Sequence, residues 1–189
     1  MSRPAVVTRF AALAWFGVAA SVAAAEPLPA VTCAEAPPNQ AATPTPRPRS
    51  LDEVDWCNHD FGGVNQDLRR GRAELHEYGE LGGLHDTYIT RLRAVVRGDL
   101  DGDRRPEVAV VLSQETWLAS GGSNTSTDVL VFTWRRGKPN LLGTIPAGTP
   151  VEAVSLRRGL VEFTSGPDHT VSVHRRGKRG FVLVRRTTP

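Results

Sequence analysis

The stretch VVRGDLDGDRRPEVAVVL, residues 95–112, sets two valine-rich runs on either side of a turn in which every second residue is acidic: Asp99, Asp101 and Asp103. The flanking runs read as strands, because β-branched residues between Gly, Asp and Pro punctuation suit a pleated, half-buried surface. VAVVL (108–112) is apolar at every position. A strand of that kind is covered on both faces and lies in the middle of a sheet.

The same pattern continues outward from this stretch. AELHEY (73–78) and YITRLRAVV (88–96) alternate polar and apolar residues, and VLVFTW (129–134) is again apolar on both faces. Shorter runs follow: NLLGTI (140–145), VEAVSL (151–156), LVEFT (160–164), TVSVH (170–174) and FVLVR (181–185). No segment beyond residue 25 shows the i, i+3, i+4, i+7 spacing of an amphipathic helix, so the fold class is all-β. An Arg-Arg-Gly pattern recurs between these runs, in LRRGR (68–72), WRRGK (134–138), LRRGL (156–160) and HRRGK (174–178). Such loops are expected to span three to five residues, with Gly at positive φ and the arginines exposed at the tip. Sequential hairpins make an antiparallel meander, curled into a barrel or folded into a sandwich. A closed propeller is excluded: it needs at least four blades of about 40–50 residues each, more than residues 51–189 supply.

The chain begins differently. Arg3 and Arg9, the apolar run FAALAWFGVAASV (10–22) and AAA (23–25) have the form of a secretory signal peptide over 1–25. The run is shorter than the about 20 residues a bilayer span needs, so no membrane span is expected after cleavage. Residues 26–50 hold half of the 14 prolines and almost no bulky apolar side chain, and read as an extended linker. A single β domain is then expected over 51–189. Export, to the periplasm or outside the cell, implies an oxidising compartment, in which the two cysteines of the chain, Cys33 and Cys57, are expected to pair. The alternative is two unpaired or intermolecular thiols. Acidic residues outnumber basic ones over 51–134 and the reverse holds over 135–189, although the whole chain carries only +3.

The alternating carboxylates have a physical use. Calcium takes about six to eight oxygen ligands, and carboxylates at alternate positions of a tight loop can converge on one ion. Counting Asp99 as position one puts Asp101 at three, Asp103 at five, the carbonyl of Arg105 at seven and Glu107 at nine. In DLDGDRRPEVAVV the residues Asp99, Asp101, Gly102, Asp103 and Glu107 resemble the calcium loops of FG-GAP and VCBS repeats, whose pattern is D-x-D-G-D-G-x-x-D before an apolar strand. The resemblance covers about fifteen residues. It implies Ca²⁺ as the cofactor, with Asp99, Asp101, Asp103, Glu107 and the carbonyl of Arg105 as ligands. Arg104 stands where the pattern has glycine, at a position that calls for positive φ. The other reading of the loop is an acidic turn neutralised by Arg104 and Arg105. From about 91 to 165 the order of segments is also similar to a group of small exported bacterial proteins with a GDLTGDG-x-x-E core. That likeness supports the β architecture and implies no activity.

The remaining candidates divide among three functional readings. SGGSNTST (120–127) reads as a polar hairpin loop; with Trp117, Ser120, Ser123 and Asn124 it is a possible binding loop. His59-Asp60, His76-Glu77 and His85-Asp86 are histidine–acid neighbours, but adjacent strand residues point to opposite faces and cannot orient one another. His76 and His85 could meet only across a hairpin. The Arg-Arg tips read as solvated turns that need not lie on one end of the sheet; the alternative is a basic surface for an anionic partner, although no aromatic residues are interleaved for base stacking, which argues against nucleic acid. The expectation is an exported, non-catalytic β domain stabilised by calcium, with a binding or structural role at the cell envelope and a protein or polysaccharide partner there. A small secreted inhibitor or ligand-binding module is the alternative, and a hydrolase built on His76 and His85 is a third.

Overall fold

The structure is a computed structural model that describes residues 27–33, 47–61, 67–78 and 84–189. The expected signal peptide over 1–25, most of the linker and the GELGG turn lie outside the described residues. Among the described residues nine strands form two antiparallel meanders. The first sheet holds β1 (Arg72–Tyr78), β2 (Leu84–Gly98), β3 (Glu107–Leu118), β4 (Ser123–Arg135) and β5 (Lys138–Pro146), in that order. The second holds β6 (Val151–Arg157), β7 (Leu160–Ser165), β8 (Thr170–Gly177) and β9 (Gly180–Thr187), and curls into an open half-barrel. The fold is therefore all-β and is not a closed propeller.

The first sheet is covered on both faces, as the continuous apolar runs require. Ala109, Val111, Val129, Val131 and Ile145 face the second sheet and pack against Val154, Leu156, Val161 and Phe163. Val108, Val110, Leu112, Leu130 and Phe132 face the other way. There they meet Leu51, Val54, Trp56 and Leu68, on and beside two 3₁₀ turns, Leu51–Glu53 and Trp56–Asn58. With apolar residues on both faces of β3, hydrophobicity alone does not fix its register. The turns and a bulge do. In β2 the pairing to β3 shifts between Leu92 and Ala94, which leaves Leu92 in one core and Ala94 in the other.

The Arg-Arg-Gly turns are tighter than expected. Arg135 pairs with Lys138 and Arg157 with Leu160, so only two residues lie at each tip. Arg136 and Gly137, and likewise Arg158 and Gly159, all have positive φ. Two consecutive positive-φ residues define the type I′ turn, whose twist matches that of the strands it joins. Arg70 and Gly71 repeat this geometry ahead of β1. The fourth pattern departs: β8 continues to Gly177, and Lys178 and Arg179 form the tip between Gly177 and Gly180.

The expected linker is in part a strap. Leu28 N–H donates to the carbonyl of Glu152 at 3.0 Å, and Pro27 bridges Ala153 on β6. Val31 packs against the outer core. Cys33 and Cys57 lie at disulfide distance, with sulfurs 2.07 Å apart.

Candidate metal centre

The loop between β2 and β3 starts at a close contact between the two sheets. At Gly98 a Cβ would overlap the Cβ and carbonyl oxygen of Leu156 on β6, so only glycine allows this approach. Asp99 then bridges Arg157 in parallel fashion. Its carbonyl accepts from Arg158 N–H at 3.2 Å, and the Leu100 carbonyl accepts from Gly159 N–H. Leu100 itself is fully buried in the inter-sheet core. The acidic loop is thus fastened by its backbone to the β6–β7 turn and by one leucine to the interior, with Asp101 and Asp103 exposed on it and Glu107 buried at its end.

Three carboxylates converge. Oxygens of Asp99, Asp101 and Glu107 all lie within 4.8 Å of one another. Two oxygens bound to one calcium ion at about 2.4 Å can be no more than about 4.8 Å apart, so the spacing fits that ion. All three donors are hard oxygens, as calcium or magnesium requires. Glu107 is 1% exposed, and one carboxylate oxygen accepts from Leu100 N–H at 2.7 Å. Burial pushes its carboxyl above the ordinary range; the Leu100 N–H opposes this, and Asp101, Asp103 and Asp99 push it higher still. A bound cation would reverse that repulsion. Arg176 on β8 brings its guanidinium to 3.6 Å from Asp101.

The other expected ligands are placed differently. Asp103 accepts from Arg105 N–H at 2.8 Å and Asp99 from Gly102 N–H at 2.7 Å, two side-chain turns that shape the loop. Asp103 is not among the three that converge. Arg104, the residue most at odds with the calcium-loop pattern, has φ of 65°. The backbone adopts the left-handed conformation without glycine, at a cost of about 1–2 kcal/mol that the fastened loop absorbs.

The polar loop is shorter than it reads. β3 and β4 pair through Trp117 with Ser123 and Thr116 with Asn124, leaving 119–122 as the turn. Ser123 and Asn124 are strand residues, because Ser and Thr side chains pair well across neighbouring antiparallel strands. Trp117 is 50% exposed and Leu118 41%, an uncovered apolar tip. Among the described residues His76 contacts Thr87 at 3.1 Å and Glu74 at 3.2 Å, at the surface. The side chain of His85 lies outside the described residues. His59 packs among Trp56, Phe61 and Phe132, and burial lowers its pKa.

Two features escape a reading by short motifs. His174 is buried and stacked on Phe163, with ring centroids 5.3 Å apart. A row of Arg91, Ser113 and Thr127 also crosses β2, β3 and β4. Both depend on cross-strand register, which no local pattern encodes. No family model, curated protein or solved structure matches this chain.

Proposed function

We propose that the loop from Asp99 to Glu107 binds one calcium ion, and that the protein is an exported, non-catalytic β domain with a binding or structural role at the cell envelope. The observation that carries the metal reading is the convergence of Asp99, Asp101 and Glu107 on a loop tied to both sheets. Asp99, Asp101 and Glu107 would hold the ion, with Asp103 and the carbonyl of Arg105 as further oxygen donors. The ion supplies charge neutralisation at the seam where β2 and the β6–β7 turn meet, and its role is to hold the sheets together. A disulfide-distance cysteine pair, and the absence among the described residues of a helix long and apolar enough to cross a membrane, are consistent with export.

The test is calcium titration by calorimetry on the purified chain. One site is expected, with affinity at least about tenfold weaker in Asp101→Ala, since removing a charged ligand costs more than about 1.4 kcal/mol. Equal binding by the variant rules out this site. The second reading, a ligand-binding module, is favoured by the exposure of Trp117 and Leu118 at the end of the first sheet.

A further inference from the structure

Antiparallel meanders place alternate turns on the same end of a sheet, and in this molecule one end is basic. The loop after β2 begins at Gly98, which pairs with Glu107 at the start of β3. The β4–β5 turn follows Phe132, which pairs with Val108, and so projects past that same end. The β6–β7 turn meets the loop directly, through Arg158 N–H to the Asp99 carbonyl at 3.2 Å. Arg176 N–H donates to the Gly159 carbonyl of that turn, also at 3.2 Å, which brings the β8–β9 turn alongside. Three of the Arg-Arg-Gly patterns therefore share one end, although nothing in the local sequence requires it. The turns described at the opposite end, 119–122, 147–150 and 166–169, contain no lysine or arginine.

The charges at this end are largely unanswered. Arg136 and Lys138, Arg157 and Arg158, and Lys178 and Arg179 are all exposed. None of them forms an ion pair or side-chain hydrogen bond with another described residue. The carboxylates of the β2–β3 loop offset only part of this charge: Arg104 and Arg105 are exposed in the same loop, and Asp101 is already paired with Arg176. The turn geometry does not call for arginine. Arg136 and Arg158 have φ of 54° and 49°, a conformation that asparagine or glycine takes more readily. The tips are also open, since a Cβ at Gly137 would have nothing within 4 Å.

We propose that this end of the molecule docks on the surface of an anionic lipid bilayer. The chain rests on the headgroups and does not span the membrane. Each lysine or arginine held near such a surface strengthens binding by about fivefold. The cations stand in both layers: the β4–β5 turn belongs to the first sheet and the other two to the second, and packed sheets lie about 10 Å apart. A plane of charge meets all of them together, whereas a linear polyanion follows one row. No aromatic residue stands in these turns for base stacking, which disfavours nucleic acid. Val182 and Leu183, 62% and 46% exposed just past Gly180, add aliphatic contact that a headgroup layer accepts and a soluble polyanion does not. The proposal names a partner for the envelope role given above, on which it rests, and does not require the metal.

The test is co-sedimentation of the full chain with vesicles of phosphatidylglycerol or of phosphatidylcholine, in a chelator so that calcium cannot bridge carboxylates to lipid. Phosphatidylglycerol is expected to bind at least about tenfold more tightly. Arg136→Asn together with Arg158→Asn is expected to weaken that binding about 25-fold, about fivefold for each charge. Its Tm should equal or exceed that of the parent, because asparagine suits the positive φ of both positions. Arg91→Gln with Arg93→Gln is the control. It removes the same charge from β2, where Arg91 pairs with Ser113, about 20 Å along β3 from the basic end. That is beyond the screening length of about 10 Å, so binding is expected to change by less than about twofold. The proposal is overturned by equal binding to both lipids, by undiminished binding in the asparagine variant, or by an equal loss in the two double variants. Tighter binding of soluble dextran sulfate than of vesicles, at equal anionic charge, overturns it as well. Calcium titration without lipid is a separate measurement, so the calcium reading stands or falls on its own.

Discussion

Leu100 is the single apolar residue of the acidic loop, and its removal tests whether that loop is built into the fold or merely lies on it. The side chain is fully buried among Leu156, Val161 and the other inter-sheet residues. Leu100→Ala deletes three carbons, which at about 0.8 kcal/mol each amounts to about 2.4 kcal/mol of lost burial. The cavity left between two sheets adds to this, for a total of about 3–4 kcal/mol. In a chain of this size that corresponds to a Tm lowered by about 10 °C. Urea unfolding is the assay, with an unchanged m-value confirming that the loss is one of stability and not of compactness. Leu141→Ala is the control: Leu141 is 47% exposed on β5, and its truncation is expected to cost less than about 0.5 kcal/mol. A cost below about 1 kcal/mol for Leu100→Ala would mean that the loop is not keyed into the core, and the metal site would lose its claim to join the sheets.

Other perturbations have definite signs. Gly98→Ala drives a Cβ into Leu156, partly into backbone that cannot rotate away, and is expected to cost about 1–3 kcal/mol; an unchanged urea midpoint contradicts the close approach. Replacing Cys33 and Cys57 together by serine opens a loop with a sequence separation of 24, a loss of about 3.5 kcal/mol in the chain-entropy model; equal Tm with and without the pair contradicts it. His174 has its pKa lowered by burial and then by Arg186, from the ordinary 6.5. The folded state holds it neutral while the unfolded state takes up a proton, so the stability it contributes is complete above about pH 6.5 and falls as the pH drops through that value. His174→Phe is expected to flatten the loss of stability between neutral and mildly acidic pH; His59, also lowered by burial, keeps part of the slope. An identical pH profile in the variant refutes the assignment.

The strands were legible because alternation and continuous apolar runs are local consequences of the pleat. VAVVL and VLVFTW announce a doubly covered central pair, and they form one, as β3 and β4. The turn residues were legible in kind but not in number. Arg-Arg-Gly reads as a tip with one positive-φ glycine, whereas the second arginine also takes positive φ in three of the four cases. Nothing local separates HRRGK from the other three; β8 runs on because its partner β9 reaches Gly180. The polar SGGSNTST segment reads as a loop because its residues are small and hydrophilic, yet pairing with β3 holds most of it extended. Asp99, Asp101 and Glu107 could be singled out by spacing, but their attachment to the β6–β7 turn spans some sixty positions of sequence and follows only from the fold. The strap formed by residues 27–33 was hidden for the same reason: a Pro-rich segment reads as a tether until a partner strand and a second cysteine are in place.

The central claim is that one calcium ion, held by Asp99, Asp101 and Glu107, stabilises the seam between the sheets. Thermal unfolding of the purified chain with calcium, and with a chelator, measures it most directly. Free calcium at about 100 times Kd is expected to add about 2.7 kcal/mol, or some 8 °C in Tm. Glu107→Gln and Asp101→Ala should abolish most of that gain. No difference between calcium and chelator, or an equal gain in both variants, would contradict the account and leave Asp99, Asp101 and Glu107 as an acidic turn beside Arg176.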